Sequence, residues 1–133
     1  MEAVLDYTQA DKIDIISHSM GVTLGRAVIK GGYFKSADYN LGAPLTDKVD
    51  TFLGIAGANY GLASCYGSSQ YIYDTCNSVN GFFPGYSKNV GLSQYLDELN
   101  NNIAREGSFV ATVLSTYDDL ILYGDIVYGR YTS

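Results

Sequence analysis

The stretch Lys12-Ile13-Asp14-Ile15-Ile16-Ser17-His18-Ser19-Met20-Gly21 decides the fold of this chain. Its isoleucines predict a short buried strand, and the residues after Gly21 place apolar side chains at nearly helical spacing. Between the two elements stands Ser19, with the small residues Ser17 and Gly21 two positions before and after it. This pattern is typical of a strained strand-to-helix turn that exposes a serine hydroxyl. We predict that Ser19 is a nucleophile and that the backbone N–H of Met20, first in the helix, is an oxyanion-hole donor.

The only histidine of the chain directly precedes this serine. His18 cannot lie in line with the Ser19 hydroxyl as a general base while its own backbone is held at the strand end. A serine–histidine–acid triad needs a base within hydrogen-bond reach of the nucleophile. We therefore interpret His18 as a packing or hydrogen-bonding residue, and the 133 residues contain no other histidine to act as the base.

Candidate acids follow the third predicted strand. Asp118 and Asp119 come just after it, and Asp125 lies slightly later and is the weaker candidate. In the order nucleophile, acid, base, the acid follows a later core strand. A strand-end aspartate by itself is more often a turn or cap residue, so the catalytic interpretation of these carboxylates depends on Ser19.

The composition limits the partners of the chain. The 133 residues carry a formal net charge of −6 and contain no lysine or arginine cluster, which argues against nucleic acids and anionic membrane surfaces. No apolar run approaches the roughly 20 residues that span a bilayer, and the N-terminal sequence has no signal-peptide pattern. Charged residues make up only 17% of the chain, where about a quarter is usual. We expect other structure to cover part of its surface.

Alternating strands and helices predict an α/β fold with a parallel sheet. A parallel sheet is normally covered on both faces, and three strands make a thin one. We therefore interpret residues 1–133 as a single partial domain, cut at both ends. Residues 62–89 lack periodicity and are predicted to be a long loop, such as a lid or pocket wall. The predicted strands are 13–16, 49–56 and 109–115, the predicted helices are 4–10, 22–30 and 92–103, and the tail 120–133 is predicted to have neither.

Two cysteines lie in the predicted loop. Cys65 and Cys76 stand close together in a segment rich in Gly, Ser, Asn and Tyr. Such a pair either forms a disulfide, worth roughly 3 kcal/mol in the chain-entropy model, or remains as two free thiols, and the residues alone leave both possibilities open. A disulfide would require an oxidising compartment. A zinc site is not expected, since no histidine or further cysteine lies near.

The segment around the serine resembles the class 2 lipase family of α/β-hydrolases, most closely its secreted nematode members. The resemblance covers most of the chain and extends to both cysteines, and we carry the Cys65–Cys76 disulfide forward as a prediction. The matching segments include Ser17-His18-Ser19-Met20-Gly21, residues 12–31 and 49–61, and Ser115-Thr116-Tyr117-Asp118-Asp119-Leu120-Ile121.

The family pattern assigns roles by position in this sequence. It implies that Ser19 is the nucleophile, that Met20 donates to the oxyanion and that Asp119, rather than Asp118, is the triad acid. Family members begin earlier, with a signal peptide and a strand whose following loop gives the second oxyanion donor, and end later, with the catalytic histidine. We therefore expect a partial α/β-hydrolase fold that lacks N-terminal strands and the C-terminal end.

The resemblance implies a secreted serine ester hydrolase of the lipase type, acting on triacylglycerol or another carboxylic ester without a metal or cofactor. The alternative is a non-catalytic remnant that binds a lipid or a protein through the former acyl pocket, for which the aromatic residues between 60 and 86 are candidates. A thioesterase or acyltransferase on the same fold is a third possibility. The expected partner is a lipid or small ester, and the sequence indicates no oligomeric state.

Overall fold

The computed structural model describes residues 1–67, 71–88, 90–119, 121 and 126–133. Both helices and strands occur within these ranges, in the alternation that the sequence predicts. The helices are α1 (Glu2–Thr8), α2 (Met20–Lys30) and α3 (Gln94–Asn101), and the strands are β1 (Ile13–His18), β2 (Tyr33–Phe34), β3 (Tyr39–Asn40), β4 (Val49–Ile55), β5 (Phe109–Val113), β6 (Ile126–Val127) and β7 (Arg130–Tyr131).

The three longer strands form one parallel sheet in the order β1–β4–β5. Their carboxyl ends are flush, because His18 pairs with Ile55 and Ile55 pairs with Val113. Short connections cannot join parallel strands, so α2 and α3 serve as the crossovers. The prediction of a parallel sheet flanked by helices is confirmed, and the arrangement is consistent with a partial α/β-hydrolase fold.

Helix α2 covers one face of this sheet. Val22 and Ile29 of α2 form a buried cluster with Val49 and Phe52 of β4, and Met1 packs against it. A second cluster joins α2 to its neighbours through Ala27, Phe34 and Leu99. On the opposite face, apolar side chains such as Ile16, Phe109 and Val113 remain exposed. Whether other structure covers these side chains stays a prediction.

Close packing of α2 on the sheet explains a glycine within the helix. A Cβ built on Gly25 would lie 3.1 Å from Ser17 Oγ and 3.3 Å from the Phe52 ring. A Cβ built on Gly21, in the same helix, meets no other atom within 4 Å. Of the small residues around the serine turn, Gly25 therefore sets the distance between helix and sheet.

We expect Gly25→Val to lower the free energy of unfolding by about 1–3 kcal/mol, the usual cost of overpacking a core. The same substitution at Gly21 is the matched control. The Cβ that it adds meets no neighbouring element within 4 Å, and valine has a slightly better helix propensity than glycine, so its unfolding free energy should change little. Urea unfolding of both variants checks this. Equal losses at the two positions would contradict the packing argument.

Two short hairpins were not predicted. Strands β2 and β3 pair in an antiparallel manner, as do β6 and β7, so the prediction of a tail without strands is wrong. Each strand has only two residues, too few for an alternating pattern to appear in the sequence. Tyr128 and Gly129, with φ values of 48° and 75°, form the β6–β7 turn. Positive φ at both central residues is the geometry of a type I′ hairpin.

A disulfide closes the segment that was predicted to be a long loop. Short 3₁₀ turns at Ala63–Cys65 and Asp74–Cys76 bring the two cysteines together, and the predicted Cys65–Cys76 disulfide is confirmed, with 5.1 Å between the Cα atoms. Phe83 is fully buried, so this side chain packs in the core and does not line an open acyl pocket.

Within the described ranges, no helix combines the length and apolar character that crossing a bilayer requires.

Candidate active site

Ser19 occupies the turn between β1 and α2 with a strained backbone. Its φ is 54° and its ψ is −128°, a conformation that costs a residue other than glycine about 1–3 kcal/mol. The turn is fixed from both sides, because the Ser19 N–H donates to Ile55 O at 2.9 Å and the Val22 N–H donates to Ser19 O at 3.0 Å. The Ser19 hydroxyl makes no capping bond to the helix that it precedes. The predicted strand-to-helix turn is therefore present.

A second strained residue lies beside this turn. Ala56 follows β4 with a φ of 49°, and its N–H donates to Val113 O at 2.8 Å. Ser19 and Ala56 thus leave neighbouring strands at the same edge, both with a positive φ. Sequence reasoning missed Ala56, since alanine at positive φ has no local sequence signal. Backbone strain of this kind clusters at functional sites.

Met20 is the first residue of α2, and its side chain is exposed. The N–H groups in the first turn of a helix have no acceptor within the helix, and the helix dipole favours negative charge there. An oxyanion that forms on an ester bound at Ser19 would therefore meet a backbone donor. The position of Met20 suits its predicted role.

The two neighbouring aspartates differ in their contacts. Asp118 Oδ1 accepts a hydrogen bond from the Ile121 N–H at 2.8 Å, and the Asp118 N–H donates to Ser115 O at 3.2 Å. Asp118 thus helps to close the turn after β5, whereas the exposed Asp119 follows it. Asp125 lies outside the described residues.

The strands that precede Ser19 and Asp119 end at the same edge of the sheet. Ser19 follows β1, Asp119 follows β5, and β4 lies between these two parallel strands. With strands about 4.8 Å apart, β1 and β5 are separated by roughly 10 Å. Ligands of α/β proteins bind at this carboxyl edge.

His18 points away from α2. Gly25 of α2 lies against Ser17, and side chains alternate along a strand, so the exposed His18 belongs to the opposite face of the sheet. This placement agrees with the interpretation that His18 is not the base for Ser19.

A largely buried ionic cluster fixes the carboxyl-terminal half of α2. Arg26 donates from Nε to Glu106 Oε1 at 2.7 Å and from Nη1 to Asn59 Oδ1 at 2.8 Å and Asn100 Oδ1 at 3.0 Å. Lys30 Nζ lies 3.4 Å from the same Glu106 oxygen. The cluster joins α2 to the end of α3, the start of β5 and the segment after β4. No sequence signal predicted it, because its members are far apart in the chain.

The environment shifts the pKa values of this cluster. Burial alone would raise the pKa of Glu106, but the hydrogen bond and charge of Arg26, together with the charge of Lys30, hold it below its ordinary value of 4.5. Burial lowers the pKa of Lys30 below 10.5, and the charge of Glu106 opposes this effect. Lys30 Nζ also donates to Asn102 O at 2.8 Å and to Ala104 O.

An apolar groove of about 320 Å³ runs along the outer side of α2. Its volume is near the lower end for small-molecule sites. The groove does not involve the aromatic residues between 60 and 86 that the sequence offered for an acyl pocket. Its lining residues are Leu24, Ala27, Val28, Phe34, Ala37, Tyr39, Leu41 and Tyr95.

Comparison with known proteins gives one family. The family model described as lipase (class 2) matches residues 1–133, the whole of this sequence. No match was found among the curated proteins.

Proposed function

The chain belongs to the class 2 lipase family, and from this membership we propose that it is a serine ester hydrolase whose nucleophile is Ser19. The backbone of Ser19 carries the proposal. A serine at φ 54°, between a strand of the parallel sheet and the helix that follows it, has the geometry of a nucleophile turn. No turn chemistry requires a serine there, since its hydroxyl does not cap the helix.

In the proposed reaction, Ser19 Oγ attacks the carbonyl carbon of an ester and the Met20 N–H donates to the oxyanion that forms. The alcohol leaves, and water then hydrolyses the acyl-enzyme to release the acid. Asp119 orients a histidine that takes the Ser19 proton and passes it to the leaving alcohol. The family pattern implies this histidine, and His18 does not supply it, because His18 belongs to the opposite face of the sheet.

Two observations support the finer assignments. Asp118 is engaged in its turn through Ile121, which leaves Asp119 as the acid that the family pattern favours. The Cys65–Cys76 disulfide suits an oxidising compartment, in agreement with a secreted protein. We propose a carboxylic ester of a lipid as the substrate.

Covalent labelling by a fluorophosphonate tests the nucleophile. Without a base in reach, the chain should react slowly, and the added mass should map to Ser19. We expect Ser19→Ala to remove the label. The control is Ser108→Ala, since Ser108 is exposed and lies at the amino end of β5, away from the edge with Ser19; this substitution should leave the label unchanged. Intact-mass spectrometry and peptide mapping measure both. Label on another residue, or label that persists in Ser19→Ala, would show the proposal to be wrong.

The apolar groove favours one alternative, a non-catalytic protein that binds a lipid. Titration with a fatty acid distinguishes this alternative from a hydrolase. Binding is compared between the native chain and Val28→Asp, which places a charge in the groove wall. Binding that Val28→Asp abolishes, in a chain whose Ser19 takes no label, would favour the binding protein. A series of esters of increasing chain length separates a lipase from a thioesterase or acyltransferase.

A further inference from the structure

We propose that the segment Tyr71-Ile72-Tyr73, here called the aromatic tip, is the surface by which this protein docks on a neutral lipid–water interface. The inference deepens the proposed function, on which it rests, because it names the physical state of the substrate. It stands on the exposure of these side chains, on the disulfide at the base of their segment and on the end of the sheet near which that segment lies.

Three consecutive large side chains face solvent at the aromatic tip. Tyr71 is 80% exposed, Ile72 67% and Tyr73 59%. No charged residue occurs between Cys65 and Asp74. A ring with a polar end, beside an aliphatic side chain, suits the boundary between water and lipid, where tyrosine is enriched.

The base of the aromatic tip is anchored in the core. Cys65 and Cys76 are both buried, and their disulfide closes the segment. The Cys65 N–H donates to Leu62 O at 3.0 Å and the Cys76 N–H donates to Tyr73 O at 2.8 Å. A surface held in this way loses little conformational entropy when it binds. The disulfide and the bond to Tyr73 O therefore limit the ordering cost at the base of the aromatic tip.

The segment that bears the aromatic tip lies towards the sheet end that carries Ser19. Helices α2 and α3 run in the same direction, since Arg26 bonds Asn100 and Lys30 bonds Asn102 O near their carboxyl ends. Because α2 begins at the carboxyl edge of the sheet, α3 also begins towards that edge.

The disulfide-closed segment leads directly to the start of α3. The Gln94 N–H donates to Ser78 O at 3.0 Å and the Tyr95 N–H donates to Val79 O at 2.8 Å. Ser93 Oγ donates to Gly81 O at 2.7 Å. These bonds place the segment after Cys76 over the first turn of α3. An interface bound by the aromatic tip would therefore lie at the same end of the molecule as the nucleophile turn.

Charge selects the kind of lipid. The net charge of −6 repels an anionic surface at ordinary ionic strength, and the uncharged aromatic tip offers no cation to overcome this repulsion. We therefore assign the aromatic tip to neutral surfaces, such as zwitterionic phospholipid or an oil droplet.

Flotation of the 133-residue chain with phosphatidylcholine vesicles tests the inference. Every variant also carries the Ser19→Ala substitution, which prevents turnover. We expect the chain to float, and Ile72→Ser to lower its partition coefficient roughly tenfold through lost apolar burial. Tyr71→Ser with Tyr73→Ser should have a comparable effect. Ile103→Ser is the matched control, because Ile103 is 98% exposed beyond the carboxyl end of α3, and it should float like the parent. Vesicles that contain phosphatidylserine should bind less protein.

Failure of the parent chain to float, or equal losses for Ile72→Ser and Ile103→Ser, would overturn the inference. Stronger binding to phosphatidylserine vesicles would overturn it as well. Flotation needs no turnover, so its failure leaves the labelling of Ser19 and the proposed function intact. Circular dichroism of each variant confirms that the exposed substitutions leave the fold unchanged.

Discussion

Free imidazole is expected to accelerate ester hydrolysis by the 133-residue chain about a hundredfold over its rate without imidazole. A general base contributes roughly 10²–10⁴ to a rate, and a small base from solution should recover the lower end of this range. Imidazole is small enough to reach Ser19, which is half-buried, and Asp119, which is exposed. Initial rates with a short nitrophenyl ester, measured at several imidazole concentrations, check the prediction.

Imidazole also hydrolyses activated esters directly, and Ser19→Ala supplies this background. The acceleration should disappear in Ser19→Ala and should fall in Asp119→Asn, because the amide cannot stabilise an imidazolium. Asp118→Asn should keep most of the acceleration, since Asp118 is engaged by the Ile121 N–H. Equal rates in the parent chain and Ser19→Ala at every imidazole concentration would contradict the proposed nucleophile. A greater loss in Asp118→Asn would move the acid to Asp118.

Glu106→Ala is expected to lower the free energy of unfolding by about 3–5 kcal/mol, which is the usual cost of removing one partner of a buried ion pair. The substitution leaves the partly buried Arg26 and the buried Lys30 as neighbouring cations with no carboxylate between them. Such a loss is a large part of the 5–15 kcal/mol that stabilises a typical domain. Urea unfolding at neutral pH measures it. Glu2→Ala, an exposed acid in α1, is the control and should change the stability by only a few tenths of a kcal/mol.

The pKa of Glu106 adds a pH dependence to this prediction. Because the folded state holds the pKa of Glu106 below 4.5, its ionised form contributes stability at every pH above the unfolded value. That contribution is lost as the pH falls through the folded pKa. The stability difference between the native chain and Glu106→Gln should therefore be constant near neutral pH and shrink below about pH 4.5. A constant difference down to the acid transition would contradict the charge argument.

The features predicted from the sequence are those that depend on local pattern. The isoleucines of β1 and the apolar run of β4 form strands, and the small residues around Ser19 predicted the turn that the structure contains. Gly31, at φ 63°, ends α2 where its sequence indicated. The disulfide prediction depended on two cysteines close in sequence, and it is confirmed.

The features that were missed depend on contacts between distant residues or on very short elements. Glu106 lies 80 positions from Arg26, and no periodicity connects the two residues. The hairpin strands have two residues each, so neither propensity nor alternation distinguishes them from loop. The peptide bond between Ile55 and Ala56 is held from both sides, because Ile55 O accepts from the Ser19 N–H and the Ala56 N–H donates to Val113 O. The residue type of Ala56 gives no indication of its positive φ.

The strain at Ser19 has an evolutionary consequence. Glycine adopts a positive φ without the penalty that a side chain brings, so a chain no longer selected for hydrolysis would gain stability by exchanging this serine for glycine. Natural proteins lie only just above the stability that they need, and a gain of that size at one codon is readily fixed. The strained serine lowers the stability of the fold, and only a use for its hydroxyl explains why it is kept. Its presence in this turn favours a lineage that still hydrolyses esters over one that has become a passive binder.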